Sequence, residues 1–433
     1  MTWIRHPKNL LVILSLTLSV LLLANHVIVT HLTMRSRDSA KRNHLRVRGT
    51  PELGGPQSSD KDVNNGRDEN GDGGYEDGSD DDDSEENLDD EMEKMKHSPY
   101  IIREQQELAR ISRALRPSKV KYLSGYLPYE NLNRYSFRRC LFQNCEFVNN
   151  MSEADAVMFS ARSIRDHPIK PFYRPESQRW VFYTYDPAEY NYCLDRADIV
   201  SSFNLTSTYQ LDSDFPLIFG RLRRRKLPPK DYDAIFEGKT KGVAWFVSHC
   251  TTWSKRELYV EGMRSVLGVD VFGQCGELRC GPIHYRTNDT HQCFPMLSKE
   301  YKFYLAFENS FCQDYITEKF FKLFSDVDVI PVVRGGFEYK KYLPTGTFID
   351  AADFESPKAL ARFLQQLGQN KTEYIKILKR KNRWVSEQTP SIHCHVCEML
   401  HEMLDKPRRI DDLRLKFYGE PRQCRQPTDL IDL

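Results

Sequence analysis

One run, residues 301–321, constrains the fold of this chain more than any other. It begins as an aromatic-rich strand, passes through a polar corner at 308–310 and is predicted to continue as a helix from Asp314. A second apolar strand, 328–336, follows at once. In open α/β sheets, a strand that ends in polar residues beside a helix N-terminus binds anions, because free backbone N–H groups and the helix dipole attract phosphates. The run therefore predicts a nucleotide site at the edge of a parallel sheet.

The predicted helix carries three candidate ligand-binding side chains, Tyr315, Glu318 and Lys319. Their spacing predicts that they share one helix face, since positions i, i+3 and i+4 are surface neighbours. Lys319 adds a full positive charge to the anion site. Core packing is the alternative interpretation for Tyr315, and a solvated surface charge is the alternative for Lys319.

Apolar runs alternate with amphipathic stretches through the rest of the chain, which predicts parallel sheets with helices on both faces. Ser356 and Pro357 indicate an N-cap and a first helical residue, and Gly368 indicates the end of that helix. The Arg-, Lys- and Pro-rich segment 221–241 is predicted to join two α/β domains, with the ligand cleft between them. The predicted strands are 157–159, 180–183, 199–203, 243–247, 269–272, 303–307, 329–333 and 347–349.

The N-terminal region has the pattern of a membrane anchor followed by a stem. Residues 10–29 contain no charged side chain, and about 20 apolar residues are needed to span a bilayer as a helix. We therefore expect a cytoplasmic tail at 1–9 and a single transmembrane signal anchor at 10–29, with a cleaved signal peptide as the alternative. Residues 30–116 are predicted to be a disordered stem, which includes an acidic run between Asp72 and Glu93 with no Lys or Arg.

Cysteines and glycosylation sequons indicate an oxidising, lumenal compartment. The sequons are Asn150, Asn204, Asn288 and Asn370. Eleven cysteines leave at least one unpaired or bridging chains. The segment 393–397 resembles a zinc site, but no second ligand pair stands at structural spacing, so a disulfide is favoured. The expected local disulfides are Cys140 with Cys145, Cys275 with Cys280, and Cys394 with Cys397.

The run F-x-F-E-N-S-x-x-x-D-Y-x-T-E-K, followed by V-I-P-V-V-x-G, resembles the donor-binding motif of the α1,3-fucosyltransferases. The resemblance extends roughly over residues 120–400, is densest at 243–336 and suggests an invertebrate-like member. It implies the GT-B fold, with two facing Rossmann-like domains behind a single anchor and an acidic stem. The N-terminal, acceptor-side domain would span 117–235, and the C-terminal, GDP-fucose-binding domain would span 236–425. A single-pass type II protein of the Golgi membrane, with a lumenal catalytic part, is the expected location.

The resemblance also implies donor-binding residues. Lys319, in T-E-K, and Arg256, in the stretch 247–256, would stabilise the departing diphosphate, with Lys255 as an alternative to Arg256. The planar fork of arginine suits two phosphate oxygens. Glu308 would orient Asn309 or cap the helix. Asn309, Tyr315 and Glu318 match family positions that line the nucleotide and the fucose.

The catalytic base is expected in the first domain. The family has W-V-x-x-x-x-E-S-P there, and this chain departs from it with Asp186 in place of the glutamate. Aspartate is one methylene shorter, and a shift of about 1 Å can cost about a hundredfold in rate. Glu189, three residues further on, could take the role instead. The alternative interpretation of Asp186 is a turn before Pro187.

The implied reaction transfers L-fucose from GDP-fucose in α1,3 linkage to N-acetylglucosamine of a glycoprotein or oligosaccharide acceptor, with inversion and a carboxylate base. No cofactor or metal is expected to be required, with a divalent ion at most stimulatory. The basic remainder of the chain suits an anionic substrate, and no nucleic-acid-binding motif is present. Two alternatives stay open. One is a catalytically silent Golgi-anchored protein that binds glycan or nucleotide. The other is a metal-dependent glycosyltransferase that uses Asp212 and Asp214.

Overall fold

The structure, a computed structural model, describes the greater part of the chain after the stem. All of its described residues lie in one compact unit, Asp80–Leu433. The predicted anchor 10–29, most of the acidic run, Cys193 and Asn288 lie outside them. No helix of the described part is long and apolar enough to cross a membrane. The described ranges are 92–116, 118–126, 136–191, 194, 196–280, 293–402, 409–419 and 423–430.

The strands form two five-stranded parallel sheets, which confirms the predicted α/β class. The strands are β1 (Lys121–Gly125), β2 (Cys145–Phe147), β3 (Ala156–Ser160), β4 (Arg179–Tyr183), β5 (Leu205–Ser207), β6 (Arg221–Arg224), β7 (Lys241–Phe246), β8 (Val269–Phe272), β9 (Tyr301–Phe307), β10 (Phe311–Cys312), β11 (Ile330–Arg334), β12 (Ile349–Asp350), β13 (Trp384–Glu387) and β14 (Cys424–Arg425). The first sheet has the order β2-β1-β3-β4-β5, and the second has the order β12-β11-β9-β7-β8. Two antiparallel pairs, β10–β14 and β6–β13, lie outside these sheets.

Helices flank both sheets. They are α1 (Glu104–Ala114), α2 (Ala161–Asp166), α3 (Ala197–Val200), α4 (Tyr232–Gly238), α5 (Arg256–Arg264), α6 (Phe294–Glu300), α7 (Glu318–Phe321), α8 (Tyr339–Tyr342), α9 (Pro357–Gln369), α10 (Lys371–Asn382), α11 (Ile392–Glu402) and α12 (Leu413–Tyr418). The predicted N-cap holds, since the Ser356 hydroxyl accepts the Ala359 N–H at 3.2 Å. The strand predicted at 199–203 is wrong: residues 197–200 are α3, and the strand is β5, because short apolar runs have no decisive period.

The last part of the stem is folded, so the prediction of disorder does not hold for residues 92–116. Tyr100 is buried, and its ring packs on Phe321 and Phe337. The backbone N–H of Leu222, in β6, donates to the Tyr100 carbonyl at 2.7 Å. In α1, Arg110 Nε donates to Glu398 Oε1 of α11 at 2.6 Å. Apolar side chains that pack on the second sheet offset the entropy cost of ordering this segment.

The chain crosses back to the first sheet near its C-terminal end. Leu413 and Phe417 of α12 are fully buried in a core that includes Phe159 and Phe182 of the first sheet. Helix α11 also lies against β1. Its two cysteines form disulfides with Cys140 and with Cys145, the first residue of β2. Residues 392–418, which the sequence placed in the second domain, therefore contribute to the core of the first sheet.

The expected local disulfides are wrong. Cys394 and Cys397 lie at i and i+3 on one face of α11, and that face meets Cys140 and Cys145, so each helical cysteine bonds across rather than to its neighbour. Because these sulfurs are in disulfides, they are not the thiolate ligands that a zinc site needs. The disulfides are Cys140–Cys394, Cys145–Cys397, Cys250–Cys275, Cys280–Cys293 and Cys312–Cys424.

Candidate functional site

The polar corner 308–310 follows β9 at the carboxyl end of the second sheet. Glu308 is fully buried, with 0% of its surface exposed. Its Oε1 accepts the Thr317 N–H at 2.8 Å, and its Oε2 accepts the Lys319 ammonium at 2.8 Å. The Ser254 hydroxyl donates to the Glu308 carbonyl at 2.7 Å. Glu308 thus orients the T-E-K segment. It also binds Thr317, the N-cap residue of α7, so it supports the start of the helix at the same time.

The helix begins later than the sequence predicted. Asp314 has a left-handed backbone with φ 63°, and α7 starts at Glu318 with Thr317 as its N-cap. Tyr315 precedes the helix, so it does not share a helix face with Lys319. The physical reason is tertiary, because the buried Glu308 carboxylate binds the Thr317 N–H and hydroxyl and fixes where the helix starts.

Lys319 faces a cavity of about 200 Å³ at the carboxyl ends of β7 and β8. An ammonium group has three donors, and those of Lys319 contact Glu308 and, at 2.7 Å, the Thr317 hydroxyl. One donor remains for a ligand. The cavity is lined by Phe246, Val247, Ser248, Arg256, Phe272, Gly273, Cys280, Cys293, Phe294, Tyr304, Glu318, Lys319, Lys322 and Leu323.

Arg256 is the first residue of α5 and lines the same cavity. It is only 4% exposed, and its Nη1 donates to the Phe307 carbonyl at 2.7 Å. Burial lowers the pKa of its guanidinium, and its buried Nε has no hydrogen-bond partner within the described residues. Lys255, the alternative, is the N-cap of α5 with φ 49° and does not line the cavity. Arg256 therefore lies nearer the cavity than Lys255 does.

Lys322 is a third cavity-lining cation, and the sequence analysis did not select it. No carboxylate of the described residues lies within ion-pair distance of its ammonium. Glu318 lines the cavity beside it; burial raises the pKa of Glu318, but the charges of Lys319 and Lys322 outweigh that effect and lower it below its usual value. The sequence could have pointed to Lys322 through its spacing, since it stands about one helical turn after Lys319.

Part of the cavity wall is aromatic. Phe246, Phe272, Phe294 and Tyr304 supply flat apolar faces that suit a nucleobase. Gly273, at the end of β8, has φ 100°, and a Cβ there would lie 2.5 Å from the Val247 carbonyl oxygen. This position therefore requires glycine. The lining thus combines cations, which suit phosphates, with aromatic rings, which suit a nucleobase.

Asn309 and Tyr315 differ in what they offer a ligand. Asn309 Oδ1 is buried and has no hydrogen-bond partner among the described residues, so it can accept from a ligand. Tyr315 is 4% exposed and packs edge-on against Tyr209, with ring centroids 4.8 Å apart. Its ring is part of the hydrophobic core beside the first sheet, which agrees with the interpretation of Tyr315 as a core-packing residue.

The two candidate bases lie in the loop after β4, at the carboxyl end of the first sheet. Asp186 is half-exposed, and Arg162 Nη2 lies 3.3 Å from its Oδ2. Burial raises the pKa of Glu189, and a contact with the Ser310 hydroxyl partly offsets that rise. Glu189 Oε2 is buried without a hydrogen-bond partner in the described part of the chain. A carboxylate oxygen of Glu189 lies within 4.8 Å of the Cys312 Sγ atom, just after the corner 308–310, whereas Asp186 is paired with Arg162.

The remaining predicted site residues are engaged elsewhere. Asp212 pairs with Lys416 at 2.7 Å, and Asp214 Oδ2 accepts the Thr206 N–H at 2.9 Å. Each carboxylate therefore has its own protein partner.

In the three sequons within the described residues, each asparagine side chain accepts a hydrogen bond from a backbone N–H group. Asn150 accepts the Ser152 N–H at 3.1 Å, Asn204 accepts the Trp180 N–H at 2.8 Å, and Asn370 caps α10. Asn150 and Asn370 are exposed, and Asn204 is half-buried.

A buried ion pair that the sequence did not reveal supports the corner from behind. Arg334, at the end of β11, is 1% exposed and forms two hydrogen bonds of 2.7 Å with Asp429. Arg334 also donates to the Ser254 carbonyl at 3.0 Å, and its own carbonyl accepts the Glu308 N–H at 2.9 Å. No local signal could identify Asp429, because its partner lies 95 residues away.

The fold and the site together define a class: α/β enzymes with a cavity lined by cations and aromatic rings at the carboxyl edge of a parallel sheet. Comparison with protein families gives the particular one. The model "Glycosyltransferase family 10 (fucosyltransferase) C-term" matches residues 236–415, and the model "Fucosyltransferase, N-terminal" matches residues 120–220. The chain belongs to glycosyltransferase family 10, the fucosyltransferases.

Curated relatives agree with this family. The chain is 34% identical over 292 residues to "Alpha-(1,3)-fucosyltransferase C" of Drosophila melanogaster, which covers 61% of this chain and 66% of the relative. It is 33% identical over 297 residues to "Glycoprotein 3-alpha-L-fucosyltransferase A" of the same organism, with 66% and 56% covered. The chain thus spans less than two thirds of the length of these relatives. A solved structure described as "alpha1,3-Fucosyltransferase with GDP-fucose" is similar at TM-score 0.40 and 15% identity, covering 62% of this chain and 86% of that one.

Proposed function

We propose that this protein transfers L-fucose from GDP-fucose, in α1,3 linkage, to N-acetylglucosamine of a glycoprotein glycan. The names of its relatives support the transfer of fucose and the α1,3 linkage. One observation carries the proposal: Glu308 of the corner 308–310 holds Lys319, and a carboxylate oxygen of Glu189, from the other sheet, lies within 4.8 Å of the Cys312 Sγ atom just after that corner. A donor cation and a base from opposite sheets are thereby positioned by one short segment.

The cavity fits the donor's leaving group. The guanine would lie against the aromatic wall, and Arg256, Lys319 and Lys322 would neutralise the charge that grows on the diphosphate as the glycosidic bond breaks. Arginine and lysine are effective here because burial weakens competition from water. Glu318, ionised at neutral pH, would accept hydrogen bonds from sugar hydroxyls.

Glu189 is the proposed base of an inverting displacement. Its buried, unpartnered Oε2 can accept the proton of the acceptor hydroxyl as that oxygen attacks the anomeric carbon from the face opposite GDP. Asp186 is less suited, because its carboxylate is half-exposed and its Oδ2 is already paired with Arg162 at 3.3 Å. We assign Asp186 to the support of the loop, where its backbone N–H donates to the Thr184 hydroxyl at 3.1 Å.

Two further features belong to the proposal. The parallel sheets that meet at the site support a GT-B arrangement. The uncharged stretch 10–29 and the five disulfides support a type II Golgi membrane protein with a lumenal catalytic part, since disulfides persist in oxidising compartments. Microscopy of the tagged full chain against Golgi markers tests the location, and staining elsewhere would refute it.

Transfer of labelled fucose from GDP-fucose to a panel of defined glycans, by the full chain in mild detergent, tests the activity. Excess EDTA should leave the rate unchanged. Loss of the rate in EDTA and recovery with manganese would favour a metal-dependent enzyme that uses Asp212 and Asp214. GDP binding without turnover would favour a silent binding protein. No GDP binding at all would refute the proposal.

Glu189→Gln and Asp186→Asn separate the two carboxylates. Glu189→Gln should lower kcat at least about a hundredfold with GDP affinity unchanged, since general-base catalysis contributes roughly 10²–10⁴-fold. Asp186→Asn should cost far less. The reverse order would assign the base to Asp186.

A further inference from the structure

The proposed base lies against a disulfide. A carboxylate oxygen of Glu189 and the Sγ atoms of Cys312 and Cys424 all lie within 4.8 Å of one another. The two cysteines are bonded to each other, so the group is an apolar sulfur wall and not a set of metal ligands. Cys312 follows Ser310 by two residues, so the sulfur wall lies next to the corner 308–310.

The disulfide attaches the segment 423–430 to the site. Strand β14 of that segment pairs with β10, and the Gln313 N–H donates to the Gln423 carbonyl at 2.9 Å. Asp429, further along the segment, holds the buried Arg334 through two hydrogen bonds. The segment therefore has a second anchor that does not depend on the disulfide.

We propose that the Cys312–Cys424 disulfide tunes the transfer reaction: its sulfur atoms form an apolar wall that excludes water from one side of the Glu189 carboxylate, while Asp429 helps to hold the segment 423–430 in place. This inference rests on the proposed function, in which Glu189 is the base. A disulfide carries no charge and donates no hydrogen bond, so it disfavours the ionised carboxylate. The raised pKa of Glu189 agrees with such surroundings. A base that holds its proton more strongly takes the acceptor proton more readily.

The pH profile of kcat/KM tests this, because a purely structural bond would change stability without moving the acidic limb. We compare the full chain with the double variant Cys312→Ser/Cys424→Ser, whose hydroxyls bring hydrogen bonds and water to Glu189. The acidic limb should move to lower pH by about half a unit or more. The rate at neutral pH should fall several-fold, while the Kd for GDP stays unchanged. A limb and a rate equal to those of the parent would overturn the inference.

Two further double variants keep the test decisive. Cys312→Val/Cys424→Ala restores an apolar wall without the bond and should retain the parent's acidic limb in the pH profile. A shifted acidic limb in this variant would contradict the proposed role of the apolar wall. It also carries the test if the serine variant does not fold.

Cys145→Ala/Cys397→Ala is the control: it removes a disulfide between α11 and the first sheet and should leave the acidic limb in place. No transfer by the parent chain would refute the proposed function and this inference together, whereas transfer with an unmoved limb refutes the inference alone.

Discussion

The ion pair between Lys319 and Glu308 gives the sharpest quantitative expectation. The Lys319 ammonium is 2.8 Å from Glu308 Oε2, with side-chain exposures of 23% and 0%. Lys319→Met would leave a buried carboxylate without its cation, which costs about 3–5 kcal/mol. The same change removes one cation from the donor cavity. A charged hydrogen bond contributes about 1.5–3 kcal/mol, so the Kd for GDP should rise roughly tenfold to a hundredfold.

A double variant separates stability from binding. Glu308→Gln/Lys319→Met removes both charges, so most of the lost unfolding free energy should return, because no unpaired charge stays buried. GDP affinity should remain as low as in the single variant. Urea unfolding monitored by tryptophan fluorescence gives the first quantity, and calorimetric titration with GDP gives the second. The single variant Glu308→Gln completes the cycle and shows how far the lysine needs its partner for orientation.

Two results would refute this reasoning. GDP affinity equal to the parent's in the double variant would show that Lys319 is a structural lysine and not a donor cation. An unchanged free energy of unfolding in Lys319→Met would show that water reaches Glu308, contrary to its complete burial.

The other expectations concern Lys322, Glu189 and Lys381. Lys322→Met should raise the KM for GDP-fucose roughly fivefold and leave the acceptor KM unchanged, since screened point charges contribute about 1 kcal/mol; steady-state kinetics checks this, and an equal KM would remove Lys322 from the site. Because burial raises the pKa of Glu189 and a base must be ionised, kcat/KM should fall as pH drops through a value above the ordinary carboxyl range; a limb at or below that range would contradict the assignment. Burial lowers the pKa of Lys381 to about 7, so above that pH the unfolded state binds more protons and the free energy of unfolding should rise from pH 7 to 9. Lys381→Met should flatten this rise, as measured by urea unfolding at several pH values. An unchanged slope in the variant would show that Lys381 does not cause the rise.

Local signals in the sequence were sufficient for the class of fold and the donor side of the site. The period of apolar residues gave most of the parallel strands, and Ser356 gave a helix start, because both depend on neighbours within a few residues. The strand end and the helix start that stand close in the sequence pointed to Lys319, whereas Arg256 was selected from the family resemblance. The family resemblance added the donor and the expected base region.

Tertiary structure alone decided the rest. The start of α7 at Glu318 depends on a buried carboxylate ten residues earlier, and the proposed preference for Glu189 over Asp186 rests on what the opposite sheet presents. The disulfide partners of α11 and the ion pair of Arg334 join residues that lie 95 to 254 positions apart. Burial and pairing between distant segments set charge, accessibility and proton affinity, and a sequence does not state which distant segments will meet.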